Sequence, residues 1–126
     1  MRPIICLLLL AWTFSSISAQ AASGRLTDVT VTEIFVETRA DPARDGQLYG
    51  GCMIRLSSPA STVDPSCTSD GFVTLACDGT FAGKSAASKA FELAQMAYVI
   101  DKPITVWIEG ARRINGYCYA SYVWTK

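Results

Sequence analysis

The chain has 126 residues, half of them hydrophobic, and its eleven basic side chains are balanced by eleven acidic ones. A balanced charge argues against nucleic acid or an anionic membrane surface as the main partner, because both attract strongly basic proteins. The length fits one small domain, in which covalent cross-links contribute a large share of the stability.

The chain begins with the three parts of a secretory signal peptide. Arg2 supplies a positive charge, Ile4–Trp12 an apolar run, and residues 19–21 a small-x-small cleavage pattern. The apolar run is about half as long as a membrane-spanning helix requires. The sequence therefore predicts a signal peptide over residues 1–21, a secreted or periplasmic location, and one mature domain over residues 22–126 without a membrane span.

Cys6 belongs to the leader, so the mature domain keeps an even number of cysteines: Cys52, Cys67, Cys77 and Cys118. In an oxidising compartment they predict two disulfides. A zinc site is disfavoured, because the chain has neither a C-x-x-C pair nor a histidine, and no other cofactor is predicted. Three pairings remain open. The pairing that we favour joins Cys52 to Cys67, which closes a short loop, and joins Cys77 to Cys118 in the last strand.

Five strands and one helix are predicted in chain order. Residues 26–37 have the composition of a strand, and their apolar positions change phase, which predicts a bulge or bend near Glu33. Pro103 ends the helix, because the residue before a proline is pushed out of the helical region. The other elements are a polar turn region at 39–51, strands at 51–56, 72–77, 104–108 and 117–124, a loop at 57–71, a charged turn at 109–116 and a helix at 85–100.

The order of these elements, β-β-β-α-β-β, predicts a mainly β fold with one long helix and two disulfides. A meander of strands with a helix between the third and fourth is typical of a small five-stranded barrel of the OB type. The alternative is an α+β sandwich of one sheet and the helix.

The predicted helix is apolar around most of its circumference. Its polar side chains fall on one narrow stripe: Ser85, Ser88, Lys89, Glu92 and Gln95. A helix that covers one sheet needs an apolar arc of little more than about 100°. We therefore expect a second cover, either the loop 57–71 or another subunit. The residues assigned to such a subunit interface are Ala90, Phe91, Ala94, Ala97 and Tyr98.

The end of the helix and the next strand contain Ala97-Tyr98, Lys102 and Val106-Trp107 in that order. Together with the helix from Ser85, this segment resembles the pentameric B subunits of bacterial AB5 enterotoxins, cholera-like or subtilase-cytotoxin-like. In those proteins an amphipathic helix ends in an Ala-Tyr turn, followed by a lysine or similar residue and a strand ending in Val-Trp. The resemblance implies an OB-fold subunit of a homo-oligomeric ring, with helices lining a central pore and a receptor-binding face that recognises glycans.

The resemblance also places Trp107 against a sugar. A flat apolar ring stacks on the C–H face of a sugar, and polar neighbours bind the hydroxyls. The following turn offers arginine forks for the carboxylate of a sialylated glycan. The predicted ligand-binding residues are Trp107, Arg112, Arg113 and Asn115. The alternatives are a tryptophan in the core and arginines in a solvated turn. A cysteine that the cholera-like members carry before the tryptophan is absent here, so the identity of the ligand is not carried over.

An enzyme is the least supported class. The chain has no histidine for acid–base catalysis, its cysteines are expected to be oxidised, and the glycine-rich stretch 79–85 has the wrong spacing for a phosphate-binding loop. We predict a non-enzymatic binding subunit of an oligomeric ring, with a glycan or glycoprotein receptor as partner. The alternative is a monomeric interaction domain, such as an enzyme inhibitor, acting through loops 39–51 or 57–71. Either would use the aromatic side chains of the last strand, Tyr117, Tyr119 and Tyr122.

Overall fold

The computed structural model describes residues 20–37 and 49–126. In this part the chain forms six strands and one helix: β1 (Ser23–Val29), β2 (Val31–Val36), β3 (Cys52–Leu56), β4 (Phe72–Thr74), α1 (Lys84–Val99), β5 (Ile104–Ile114) and β6 (Tyr117–Trp124). A short 3₁₀ turn at Ala60–Thr62 interrupts the loop between β3 and β4. Most of the predicted signal peptide and of the predicted turn region 39–51 lies outside the described residues.

The strands form one mixed sheet in the order β1-β5-β6-β4-β3-β2. β4 and β6 run parallel, and the other neighbouring strands run antiparallel. The mainly β fold with one helix is as predicted, but the sheet has six strands rather than five and, over the described residues, it is not a closed barrel. β1 and β2 occupy its two edges although only Thr30 separates them in the chain.

The additional strand results from the bend predicted in residues 26–37. β1 ends one residue before β2 begins, and the pairing of β2 with β3 shifts register between Val31 and Glu33. Val29 and Val31 share one phase and are buried, whereas Ile34, on the other phase, also packs against the core. A strand with a side-chain period of two meets both requirements only by bending, so the predicted irregularity is confirmed.

The core lies between one face of the sheet and one face of α1. The helix contributes Ala87, Phe91, Ala94 and Ala97, all buried. The largest fully buried side chains of the strands and their flanks are aliphatic: Ile54, Val73, Leu75, Ile104, Val106 and Ile108. Each large apolar side chain removed from water contributes about 1.5–3 kcal/mol, so packing on the sheet, more than helix propensity, stabilises α1.

The helix ends where the sequence predicts. Asp101 has a left-handed backbone, with φ of 51°, and its N–H donates to the Tyr98 carbonyl oxygen at 3.4 Å. The Lys102 N–H donates to the Ala97 carbonyl oxygen at 2.9 Å. These two bonds form a Schellman motif, and the proline that follows Lys102 cannot continue the helix.

The two strands after the helix form a longer hairpin than predicted. β5 continues to Ile114, so the charged turn expected at 109–116 is wrong, and the connection consists of Asn115 and Gly116. Both residues have positive φ, 49° and 85°, as a two-residue type I′ turn requires. The charged side chains before this turn lie on an irregular strand pair, whose register shifts between Glu109 and Arg113.

The disulfides join the predicted cysteines in a different pairing from the one favoured. Cys52 pairs with Cys77 across 25 residues, and Cys67 pairs with Cys118 across 51 residues. The favoured pairing is wrong because β3 and β4 are antiparallel neighbours, which brings the segment after β4, with Cys77, back to the start of β3. On the chain-entropy model the longer link contributes about 4 kcal/mol. Two disulfides are consistent with an oxidising compartment. No helix in the described ranges has the length and apolar character needed to cross a membrane.

Candidate ligand-binding site

An aromatic pocket lies on the face of β2, β3 and β4 that points away from the core. It is a cavity of about 210 Å³ lined by Phe35, Tyr49, Met53, Phe72 and Tyr117. Phe35 is paired with Met53 across β2 and β3, and this row alternates with the buried core residues of the same strands. Met53 is buried, so it forms the apolar floor beneath the aromatic rings.

The rings of the pocket hold one another by edge-to-face contacts. The ring centres of Phe35 and Tyr49 are 5.8 Å apart, those of Tyr49 and Tyr117 are 5.6 Å apart, and those of Phe72 and Tyr117 are 6.4 Å apart. Edge-to-face pairs at these distances contribute about 0.5–1.5 kcal/mol beyond the area that they bury. These contacts therefore fix the orientation of the rings that form the walls of the cavity.

Tyr49 is positioned through its backbone. Its N–H donates to Glu37 Oε2 at 2.9 Å, and its carbonyl oxygen accepts from Thr74 Oγ1 at 2.7 Å. Gly50 follows with φ of +85°, and a Cβ atom there would lie 2.6 Å from Thr74 Oγ1. Only glycine allows this approach, because other residues are strained at positive φ and would displace the threonine.

A polar rim borders the pocket beside Phe72. The guanidinium carbon of Arg55 lies 5.4 Å from the centre of the Phe72 ring. The Arg55 Nε donates to the Asp70 carbonyl oxygen at 2.8 Å, and its Nη1 contacts Glu33 Oε2 at 3.5 Å. Because both side chains of this ion pair are about half exposed, the pair contributes at most about 1 kcal/mol.

Tyr117 adds a hydroxyl group at the same rim, which donates to Asp70. Burial raises the pKa of its hydroxyl, and the charge of Asp70 and a hydrogen bond with it raise the pKa further. Tyr117 is therefore protonated at physiological pH. Asp70 is itself held by the Phe72 N–H, which donates to its Oδ1 at 3.0 Å.

The sequence-predicted tryptophan belongs to a second surface, the Trp107 surface, on the outer face of β1, β5 and β6. Trp107 is half-buried between its cross-strand partners Arg25 and Tyr122, the latter 66% exposed. The Arg25 guanidinium lies 5.2 Å from the ring centre of Trp124. This surface combines exposed aromatic rings with a cation, and its arginine stacks on a ring of the protein, as Arg55 does on Phe72.

The other predicted ligand residues do not join Trp107. Arg112 Nε pairs with Glu109 Oε2 at 3.3 Å, and Arg113 Nη1 donates to the Ser66 carbonyl oxygen at 3.2 Å. A strand rises about 3.3 Å per residue, so roughly 17–20 Å of β5 separates Trp107 from the arginines. Asn115 forms the hairpin turn that leads into Tyr117, and its end of the hairpin therefore borders the aromatic pocket instead.

Sequence reasoning missed four of the five pocket residues, Phe35, Tyr49, Met53 and Phe72. A signal was present, because Phe35 and Phe72 each follow or precede an aliphatic residue that packs on the core, Ile34 and Val73, and the opposite phase of such a strand is normally polar. Tyr117 was expected to add aromatic surface, and it lines the pocket. Tyr119, grouped with it in that expectation, is buried against Phe81, with ring centres 5.1 Å apart.

The predicted subunit-interface residues lie on both sides of α1. Phe91, Ala94 and Ala97 are buried against the chain's own sheet, and Ala90 is partly buried there. Tyr98 is 46% exposed. An outer helix face, defined by Met96, Val99 and Ile100, is 64–80% exposed and borders a shallow groove of about 390 Å³.

The loop 57–71 packs near β1 and β5 instead of covering this outer helix face. A Cβ atom on Gly24 in β1 would lie 3.0 Å from Val63, and Asp64 accepts a hydrogen bond from the Ala22 N–H. The loop 57–71 is therefore not the second cover that the sequence predicts for α1.

Within the described ranges, no group of three or more His, Cys, Asp or Glu side chains is placed to hold a metal ion. No family model matches the sequence, and no curated protein or solved structure matches it either. The function therefore has to be argued from the geometry of the chain itself.

Proposed function

We propose that this protein is an exported, non-enzymatic binding subunit that recognises an acidic glycan through the aromatic pocket. The observation that carries the proposal is the combination of pre-oriented rings with Arg55 and Tyr117 on one rim. Flat aromatic rings suit the C–H faces of a sugar, and the polar rim suits its hydroxyl and carboxylate groups. The Trp107 surface offers the same residue types along β1, β5 and β6.

The size of the cavity supports a single terminal sugar. Its volume of about 210 Å³ is below the roughly 300 Å³ at which pockets for drug-sized ligands begin. Arg55 is the group that selects an acid, because a planar guanidinium binds a carboxylate through two parallel hydrogen bonds. A sialylated glycan provides both a sugar ring and a carboxylate, so it is the ligand class that we propose.

The strand order supports an OB-type interpretation of the fold. If β1 and β2 are counted as one bent strand, the sheet order becomes 1-2-3-5-4-1, in which the third and fifth strands run parallel. OB folds bind oligosaccharides on the face of their second and third strands and with the loops beside it. The aromatic pocket lies on β3 and β4, the strands in these positions, and next to the last hairpin. The proposal is therefore compatible with the resemblance to the enterotoxin B subunits.

We place ring assembly on the outer helix face. Three large apolar side chains lie together there in contact with water, and contiguous exposed apolar patches mark interaction sites. Tyr98 keeps its predicted role in this contact, whereas Phe91, Ala94 and Ala97 support the face from within. A solution mass several times that of the monomer, lowered to the monomer by Val99→Glu with Met96→Glu, is the expected result. A monomeric wild-type protein would contradict the assembly but not the ligand site.

A monomeric inhibitor is the second candidate, and one observation favours it. The loop 57–71 is cross-linked to β6 through Cys67 and is held further by Asp64. A rigid exposed loop is what an inhibitor presents to its target, because little entropy is lost on binding. The solution mass separates this candidate from the ring.

The ligand proposal is tested by calorimetric titration of the mature domain with sialyllactose, with lactose as the neutral control. Truncation of a central aromatic residue commonly costs more than about 1–2 kcal/mol of binding free energy. Phe72→Ala is therefore expected to weaken sialyllactose binding at least about tenfold, while Trp107→Ala leaves it within about twofold. Loss of binding in Trp107→Ala alone would move the site to the Trp107 surface, and binding of neither sugar would refute the proposal.

A further inference from the structure

Asp64 is the one carboxylate that is buried in the described part of the chain, with 4% of its surface exposed. Its Oδ1 accepts the Ser66 N–H at 2.9 Å and the Ser66 hydroxyl at 2.6 Å. These bonds hold the pKa of Asp64 below its ordinary value, although burial acts in the opposite direction. A buried ionised carboxylate needs a cation or a full set of hydrogen bonds. The nearby Arg113 acts on it only through its charge, because its guanidinium donates to the Ser66 carbonyl oxygen.

The remaining oxygen of Asp64 accepts from the backbone nitrogen of Ala22, with N···Oδ2 of 2.7 Å. Ala22 is fixed in this position, because its carbonyl oxygen accepts the Gly110 N–H at 2.9 Å, directly before β1 pairs with β5. Gly110 has no side chain at this point, and a Cβ atom there would overlap Asp64 Oδ2. Asp64, Ser66 and Gly110 thus hold the backbone nitrogen of Ala22 against a buried negative charge.

Ala22 is also the first residue after the predicted cleavage site. We propose that the α-ammonium group released by cleavage between Ala21 and Ala22 binds Asp64, so that the fold contains a site for its own mature N-terminus. Hydrolysis breaks the bond between the Ala21 carbonyl carbon and the Ala22 nitrogen. One water molecule supplies the second carboxylate oxygen and the two protons that convert the amide N–H to an ammonium group.

Maturation then replaces the hydrogen bond from a neutral amide to the Asp64 carboxylate by an ion pair with a hydrogen bond, which adds the attraction between two full charges. It joins the start of β1 to the loop 57–71, which is tied to β6 by the disulfide of Cys67. The inference rests on the predicted cleavage and is independent of the glycan proposal, because none of its residues lines the aromatic pocket.

The experiment compares four proteins by thermal unfolding at neutral pH. Two begin at Ala22 and two keep Ala21 as one additional residue, and each form is made with Asp64 and with Asp64→Asn. The protein that begins at Ala22 is expected to melt about 4–8 °C above its one-residue-longer form. Asp64→Asn is expected to remove this difference, whereas the control Asp78→Asn, which affects only the turn at Thr80, keeps it. Equal melting temperatures of the two forms, or a difference that survives Asp64→Asn, would overturn the proposal.

A second measurement covers the case in which Asp64→Asn does not fold. The α-amino group of the protein that begins at Ala22 is titrated by NMR, and its pKa is expected above the ordinary range of about 7.7–8.0, since Asp64 favours the charged form. Arg113 opposes this effect, and Glu109, opposite Ser23 in β5, adds to it. A pKa at or below the ordinary range would overturn the proposal, as would an exported protein whose mass shows a start other than Ala22.

Discussion

The aromatic pocket and the Trp107 surface use the same residue types but differ in shape. In both, an arginine lies over an aromatic ring, at 5.4 Å for Arg55 and Phe72 and at 5.2 Å for Arg25 and Trp124. In the pocket, three edge-to-face ring pairs surround a cavity over a buried methionine. On the Trp107 surface the rings lie along open strands. The two regions therefore share their residue types, and the geometry of the strands and of the Tyr49 segment gives the aromatic pocket its cavity.

Removing the disulfide between Cys67 and Cys118 is expected to have the largest effect. It holds the loop that carries Asp70, at the rim of the pocket, whereas the Trp107 surface is built without that loop. Cys67→Ala with Cys118→Ala is expected to lower the free energy of unfolding by about 4 kcal/mol, measured by urea denaturation. An unchanged unfolding midpoint would show that the link does not constrain the unfolded chain.

Gly50→Ala tests the backbone conformation that positions Tyr49 in the aromatic pocket. The added Cβ meets Thr74 Oγ1 at a positive φ, so we expect a loss of about 3 kcal/mol in the free energy of unfolding. Gly83→Ala is the matched control, because nothing lies within 4 Å of a Cβ there and its φ is not positive. The control is expected to change stability by less than about 1 kcal/mol, and equal losses in both variants would contradict the role given to Gly50.

The two stacked arginines provide a matched pair of binding variants. Arg55→Lys keeps the charge but removes the planar fork, and it is expected to weaken sialyllactose binding by about 1 kcal/mol, or roughly fivefold. Arg25→Lys makes the same change on the Trp107 surface and is expected to leave the dissociation constant unchanged. The opposite ranking in calorimetry would transfer the carboxylate contact to Arg25.

The smallest effect concerns pH and Tyr117. Its pKa is raised in the folded protein, chiefly by burial, so the unfolded chain releases this proton first. Stability is therefore retained below the ordinary tyrosine pKa of about 10 and falls as the pH rises toward the folded value. Tyr117→Phe is expected to make this fall shallower, and Asp70→Asn to do so in part. Because burial also raises the pKa of Tyr119, some of the fall remains in either variant. An identical pH profile in Tyr117→Phe would contradict the assignment.

The sequence predicted those parts of the fold that depend on local chemistry. The helix was expected at 85–100 and lies at Lys84–Val99, because an uninterrupted apolar pattern and Pro103 define it locally. The bend near Glu33 was visible as a change of phase. The hairpin turn was placed over too many residues, because the charges of Arg112 and Arg113 were given more weight than the Asn115-Gly116 pair.

The remaining features depend on contacts between distant segments. Phe35 and Phe72 line one pocket only because β3 lies between their strands, and the chain order of these residues does not indicate it. The same holds for the disulfides, since the order of β3, β4 and β6 decides which cysteines are neighbours. Trp107 was predicted as a ligand residue from a resemblance in one segment. It lies on the outer face of β5, outside the aromatic pocket, so the glycan site proposed in that pocket does not depend on it.

The most direct test is an NMR titration of the isotope-labelled mature domain with sialyllactose. The mature sequence has two tryptophans, Trp107 and Trp124, and both lie on the Trp107 surface, so their indole N–H signals report on that surface alone. We expect saturable shifts in β3, in β4 and around Tyr117, while both indole signals stay in place and lactose has little effect. Shifts of the indole signals without shifts around Phe72, or no saturable change at all, would contradict glycan recognition by the aromatic pocket.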